Sequence, residues 1–271
     1  MSAFAEAIAQ FVSRTAVGAA FDAAEWLDKV AVGLRERSFW TARNTNVQLA
    51  QEMKDRVTKI LGGQPKGINQ ATARAELKQL LAEMDYNPGE KAGTIQDLSS
   101  DARLNLILRM NTQSAYGFGQ FKQGNTPAVL DWWPAQELFR AEIRKEPRDW
   151  LQRWIAAGGQ TFPGGDAEFS GQRMIALKTD PIWTAISEFD TPYPPFDYNS
   201  GMWVRDVDRA TAEKLGLISP NEQPTPLAVW RFNDQLQQSV KGIDPELLDV
   251  LKREFGDQLE IVDGVAKWVG Q

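Results

Sequence analysis

Trp132, Trp133, Trp150 and Trp154 fall in one stretch of the chain together with Arg140, Arg144, Lys145, Arg148 and Arg153. Indole faces interleaved with cationic side chains are the raw material of a surface that stacks on bases and grips phosphates. The same stretch interleaves Glu137, Glu142, Glu146 and Asp149. Arginines four residues apart with acids three or four positions away are also what a solvated, salt-bridged helix shows, and Trp150, Leu151, Trp154 and Ile155 suit a core. The plainer, structural reading is the one the pattern favours.

Carboxylates beside tryptophans raise a second chemistry, in which two acids flank a glycosidic bond and aromatic rings stack on the sugar. Asp and Glu are scattered through every segment here, however, and no pair stands out by spacing. Gly158 to Gly165 is glycine-rich, yet no Lys-Ser/Thr follows it and no strand clearly precedes it, so it does not match a phosphate-binding loop. Asp206 and Asp208 form the one close Asp pair in a turn-like context, and Asp208 is better placed as a helix cap than as a ligand. No metal and no cofactor are assigned. The chain has no Cys and no His, which excludes Cys/His zinc sites, Ser-His-Asp triads and Cys-His dyads.

The segment from Thr191 to Met202, with Pro192, Tyr193, Pro194, Pro195, Phe196 and Tyr198, is the least ordinary in the sequence. Prolines fix φ and lower the entropy lost on ordering, so the segment can serve as a rigid docking strip; equally, its aromatics can pack it onto its own domain.

Helical elements must position these residues. Apolar spacing predicts helices near Phe4–Val12, Thr15–Leu34, Asn44–Leu61 and Ala71–Met84, and a longer one begins after Ser99 or Ser100 and frays at Gly117 and Gly119. A helix across Glu137–Lys145 and another opened by Pro147 and closed by Gly158-Gly159 follow, then a strand at Met174–Leu177 and a short helix from Asp180-Pro181. Asp208 and Asp244 cap two further helices that stop at Gly216 and Gly256. Leu259–Val262, Asp263-Gly264 and Val265–Val269 spell a hairpin, because Asp-Gly supplies the positive φ angles of a two-residue turn.

Composition agrees with a packed fold, at 42% hydrophobic and 24% charged. No stretch is apolar enough to span a bilayer, and the opening residues lack the basic region and apolar core of a secretory signal, so a soluble chain without membrane contact is expected. Of the net charge of −6, residues 173–271 hold 10 basic and 16 acidic side chains. Duplex binding as a main task calls for a net basic face, so any contact with DNA must be local.

Four segments in a fixed order carry a resemblance: Arg103 to Gly117, including Asn111-Thr112-Gln113-Ser114-Ala115-Tyr116; Glu137-Leu138-Phe139-Arg140; Lys178-Thr179-Asp180-Pro181-Ile182-Trp183; and Pro194-Pro195-Phe196-Asp197-Tyr198-Asn199. This order over residues 97–216 resembles the Mu F-like phage head morphogenesis family, where an Asn-containing helix precedes a small α+β unit closed by an Asp-Pro-x-Trp turn and a Pro-Pro strip. Trp26 to Leu61, with Arg35 to Trp40, looks similar to the helical N-terminal half of prophage-encoded relatives. Where many members continue Asn-Cys-Arg-Cys, this chain has Asn199-Ser200-Gly201-Met202, and it lacks their upstream His; a metal or nuclease role does not carry over.

The resemblance implies a non-enzymatic minor head component of a tailed phage or prophage. It would be made in the host cytoplasm, sit in the procapsid, contact portal and other capsid proteins, and touch packaged DNA at most locally. The candidate contact surface, read from the arginine-tryptophan stretch and the Pro-rich segment, is Arg140, Arg144, Arg148, Trp150, Pro194, Pro195, Phe196 and Tyr198. The rivals are a virion-associated, carboxylate-using hydrolase and a nucleic-acid-binding module built on the arginine strip. The expected architecture is α+β, mainly α: a helical region over 1–68, a helical and α+β core over 69–216, and a C-terminal helix plus β-hairpin over 217–271.

Overall fold

The computed structural model of the chain describes residues 5–30, 32–62, 68–227, 237–239 and 245–268. In chain order the elements are α1 (Ala5–Val12), β1 (Thr15–Ala16), α2 (Ala23–Lys29), α3 (Val32–Arg37), β2 (Ser38–Phe39), α4 (Val47–Leu61), α5 (Gln70–Glu83) and α6 (Asp101–Gly124). Then come α7 (Pro127–Trp132), β3 (Ala135–Arg140), α8 (Trp150–Ala156), β4 (Thr161–Pro163), β5 (Gln172–Leu177), α9 (Ile182–Ala185), β6 (Met202–Val207) and α10 (Arg209–Lys214). The chain closes with β7 (Gln237–Ser239), α11 (Pro245–Phe255), β8 (Leu259–Val262) and β9 (Val265–Trp268). The class is α+β and mainly α, with helices at the N-terminal end and a hairpin at the C-terminal end. Among the described residues no helix is long and apolar enough to cross a membrane.

The elements group into two compact units, residues 1–115 with 230–271, and residues 116–229. This differs from three consecutive regions over 1–68, 69–216 and 217–271. The C-terminal segment returns to the first unit because Phe255, Leu259 and Ala266 bury with Val17, Trp26, Val30 and Leu34, while the Trp26 and Trp40 rings stack 4.5 Å apart. Loop chemistry starts the helices of this unit where free N–H groups need an acceptor. Asp22 and Glu25 form a reciprocal capping box on α2, Asn46 accepts from Leu49 N on α4, and Asn69 accepts from Thr72 N on α5. Asp263 (φ 53°) and Gly264 (φ 74°) make the tight turn between β8 and β9, as the sequence predicts. The Asp244 cap lies outside the described residues.

The continuous helix expected over Thr15–Leu34 is broken. β1 pairs with β2 in parallel, and a Cβ on Gly18 would meet Thr45 O at 2.5 Å, so the chain passes extended before α2 begins. By contrast, α6 does not fray at Gly117 and Gly119 but runs on to Gly124.

The second unit is built on a four-stranded antiparallel sheet in the order β4-β5-β3-β6. Its centre, β3, replaces the helix expected across Glu137–Lys145. The residues Ala135 to Arg140 have ample helix propensity, but propensity yields to tertiary pairing. Alternation along β3 sends Leu138 to one face with Met174, Ala176, Met202 and Val204, under Trp150, Trp154, Trp183 and Phe196. Ala135 goes to the other face with Ile175 and Val207, against Ala212 of α10 and Ile218. Met174–Leu177, the Asp180-Pro181 helix start and the Asp208 cap stand where the sequence places them.

Candidate functional site

In the second unit the arginines and the Pro-rich strip meet, though not as a free surface. Arg140, on β3, sets Nε 2.5 Å from Glu168 Oε1 and donates to Ser200 O at 2.9 Å. Arg148, on the loop after β3, donates to Tyr198 O at 2.9 Å and reaches Asp197 Oδ2 at 3.4 Å. Arg153, on α8, pairs with the same Asp197 Oδ2 at 3.0 Å and with Glu188 at 3.4 Å, its guanidinium lying over the Trp150 ring. Arg144 pairs with Glu142 at 2.6 Å. Backbone bonds from Ala141 N and Glu142 N to Gly201 O complete the clamp. The salt-bridged helix expected for residues 140–148 is therefore replaced by a strand and loop whose arginines pin the strip.

The strip packs onto its own domain. Tyr193, Pro194, Pro195, Phe196 and Asp197 are buried, and the Pro194–Pro195 bond is cis. Phe196 stacks with Trp183 at 6.0 Å, and Trp183 meets Trp154 edge-on at 5.2 Å. Gly117 of α6 seats the strip: a Cβ there would fall 1.7 Å from Pro194 O. Of the expected contact residues, Trp150, Pro194, Pro195 and Phe196 are buried and cannot meet a partner directly; Arg140, Arg144 and Tyr198 are half-buried, and Arg148 is exposed.

On the opposite face of the sheet Glu137, 3% exposed, is held between Arg173 (2.7 Å) and Arg205 (3.0 Å). Burial pushes its pKa up, but the two guanidinium groups outweigh that and hold it below the ordinary value. Asp208, which caps α10 through Thr211 N, is also held low, by that hydrogen bond first. Neither carboxylate is poised to act as an acid near neutral pH. Among the described residues no three His, Cys, Asp or Glu side chains converge on a metal position.

Sequence reasoning passed over a cavity of this unit that is lined by a buried cation. It has a volume of about 300 Å³ and lies between the end of α6, the residues after α7, the strip and one face of the sheet. Lys178, 7% exposed, projects into it, with Asp206 Oδ1 2.7 Å from Nζ. Phe121, Val129, Trp133 and Val204 supply apolar wall. The signal that could have found it is the strand-forming run Met202-Trp203-Val204-Arg205-Asp206-Val207, which pairs with β3 and sets Asp206 opposite Gln136, on the face that Lys178 reaches. Trp132 and Trp133, 68% and 44% exposed, stand at this end of the unit.

Comparison of the chain with protein-family models, with curated proteins and with solved structures finds no match.

Proposed function

We propose that this chain is a structural minor head component of a tailed phage or prophage, acting in head assembly, portal association or DNA delivery. The observation that carries the reading is the ordered set of four segments, and their packing is in keeping with one folding unit. The end of the first segment, Gly117, is the seat of Pro194 in the fourth. Glu137 and Leu138 pair with the strand that leads into Lys178, and Trp183 of the third segment stacks on Phe196 of the fourth. Residues that resemble the family's markers are thus the ones that hold this unit together.

Such a role needs shaped contact surface rather than a catalytic centre. The partners are portal and other capsid proteins, met in the host cytoplasm during assembly and retained in the procapsid. The arginines of the strip are already engaged by Glu168, Glu142, Asp197 and Glu188, which leaves them little attraction for packaged DNA. The test is to purify procapsids from an induced host and search them for this chain by mass spectrometry. Its presence at low copy number supports the reading, and its absence from procapsids and mature heads overturns it.

A further inference from the structure

We infer that the Lys178 cavity is a binding site for a carboxylate carried on an apolar or aromatic body, either a small free acid or the C-terminal end of a peptide. The inference does not depend on the head-protein reading. Lys178 follows β5, and its Nζ is buried against Asp206; among the described residues no acceptor completes a hydrogen bond of good geometry with it. An ammonium group has three donors. A buried cation satisfied by one off-axis contact is costly unless further acceptors reach it.

The surroundings say which acceptor fits. Asp206 is 46% exposed on its side chain, so water can solvate its carboxylate if it rotates outward when another anion arrives at Nζ. Space next to Nζ is kept open by Gly124, whose added Cβ would come to 3.5 Å from that atom. Phe121, Val129, Trp133 and Val204 line the rest, and about 300 Å³ accommodates one ring or branched side chain with its carboxylate. A bare inorganic anion would leave those walls unused, and a bare hydrocarbon would leave Nζ unsatisfied. A carboxylate with an apolar body meets both.

The test uses the full chain and two probes followed by calorimetry and by tryptophan fluorescence: 3-phenylpropionate, and an N-acetylated tripeptide ending in Phe with a free carboxylate. An otherwise identical peptide with an amidated end is the control. The expected result is binding of at least one free acid and a loss of about 10–100-fold for the amidated peptide, the worth of a charge-assisted hydrogen bond. Binding of phenylpropionate alone assigns a small free acid, and binding of the peptide assigns a chain end. Lys178→Met abolishes binding. Asp206→Asn, which removes the competing carboxylate, tightens it, an effect a purely structural Lys–Asp pair does not produce. Gly124→Val fills the space and blocks binding while the thermal melt stays within a few degrees of the parent, which keeps the test informative should Lys178→Met unfold. Equal binding of amidated and free peptides, weakened binding in Asp206→Asn, or no binding of either acid at millimolar concentration overturns the inference.

Discussion

Replacing Gly117 by Ala tests whether the strip is seated on α6 as the geometry requires. On an ordinary helix this change adds stability, because Ala exceeds Gly in helix propensity by about 1 kcal/mol. Here the new Cβ would sit 1.7 Å from Pro194 O and 2.8 Å from Pro194 C, both backbone atoms that no rotamer change can move aside. The helix and the strip must separate by about 1 Å or more to restore a tolerable contact. That motion loosens Tyr193 and Phe196, which are 4% and 0% exposed, and with Phe196 its stacking on Trp183. Overpacking against immovable backbone falls at the upper end of roughly 1–3 kcal/mol and exceeds the propensity gain of about 1 kcal/mol, so a net loss of up to about 2 kcal/mol is expected. Gly124→Ala is the internal control on the same helix: its Cβ meets only the Lys178 side chain, at 3.5 Å, and stability should hold or rise slightly. Denaturant unfolding followed by near-ultraviolet circular dichroism reads both. If Gly117→Ala matched or exceeded the parent in midpoint, the seating argument would be wrong.

Glu137→Gln should lower stability by roughly 2–4 kcal/mol near neutral pH, because it leaves Arg173 and Arg205 facing a neutral amide. Since the folded-state pKa of Glu137 is depressed, its contribution is present above the unfolded value of about 4.5 and fades as pH falls through the folded value; parent and variant midpoints should converge below pH 4.5, and parallel curves would dismiss the clamp. Arg144→Glu with Arg148→Glu should lower the melting temperature by a few degrees while leaving retention on DNA-cellulose unchanged, as both side chains serve internal acids. A selective loss of DNA retention would instead favour the nucleic-acid reading. Gly264→Val, at φ 74°, should cost about 1–2 kcal/mol and speed hydrogen exchange in the strands it joins; unaltered exchange there would rule out the tight turn.

What could be read from the residues beforehand was chiefly local. Asp208 with Gly216 and Asp263-Gly264 announce themselves because a cap or a two-residue turn is decided by neighbours in sequence. The strand β3 was hidden because its reason lies elsewhere: Glu137 becomes acceptable in a sheet only through Arg173 and Arg205, 36 and 68 residues further on. For the same reason Arg140, Arg144 and Arg148 looked like one helical face. Their acids proved to be Glu168, Glu142 and Asp197, and only the Arg144 pair is local in sequence. The Lys178 cavity depends on three segments at once, and only the strand-forming run at 202–207 marks one of them in the sequence.

The corner Asn199-Ser200-Gly201-Met202 is fixed by backbone geometry and core packing. Asn199 (φ 50°) and Gly201 (φ 69°) both take left-handed backbone, which costs a residue other than Gly or Asn about 1 kcal/mol or more. A Cβ on Gly201 would also strike Glu142 O at 2.5 Å. Ser200, 4% exposed, accepts from Arg140 on its carbonyl oxygen and from Met202 N–H on its hydroxyl oxygen, and Met202 is buried under the strip's aromatic cluster. Asn199 and Gly201 are thus chosen by backbone geometry, and Ser200 and Met202 by burial and hydrogen bonding. The corner latches the strip to the start of β6, so the arginine clamp, the proline seat on Gly117 and this turn form one continuous device for holding the Pro-rich segment in place.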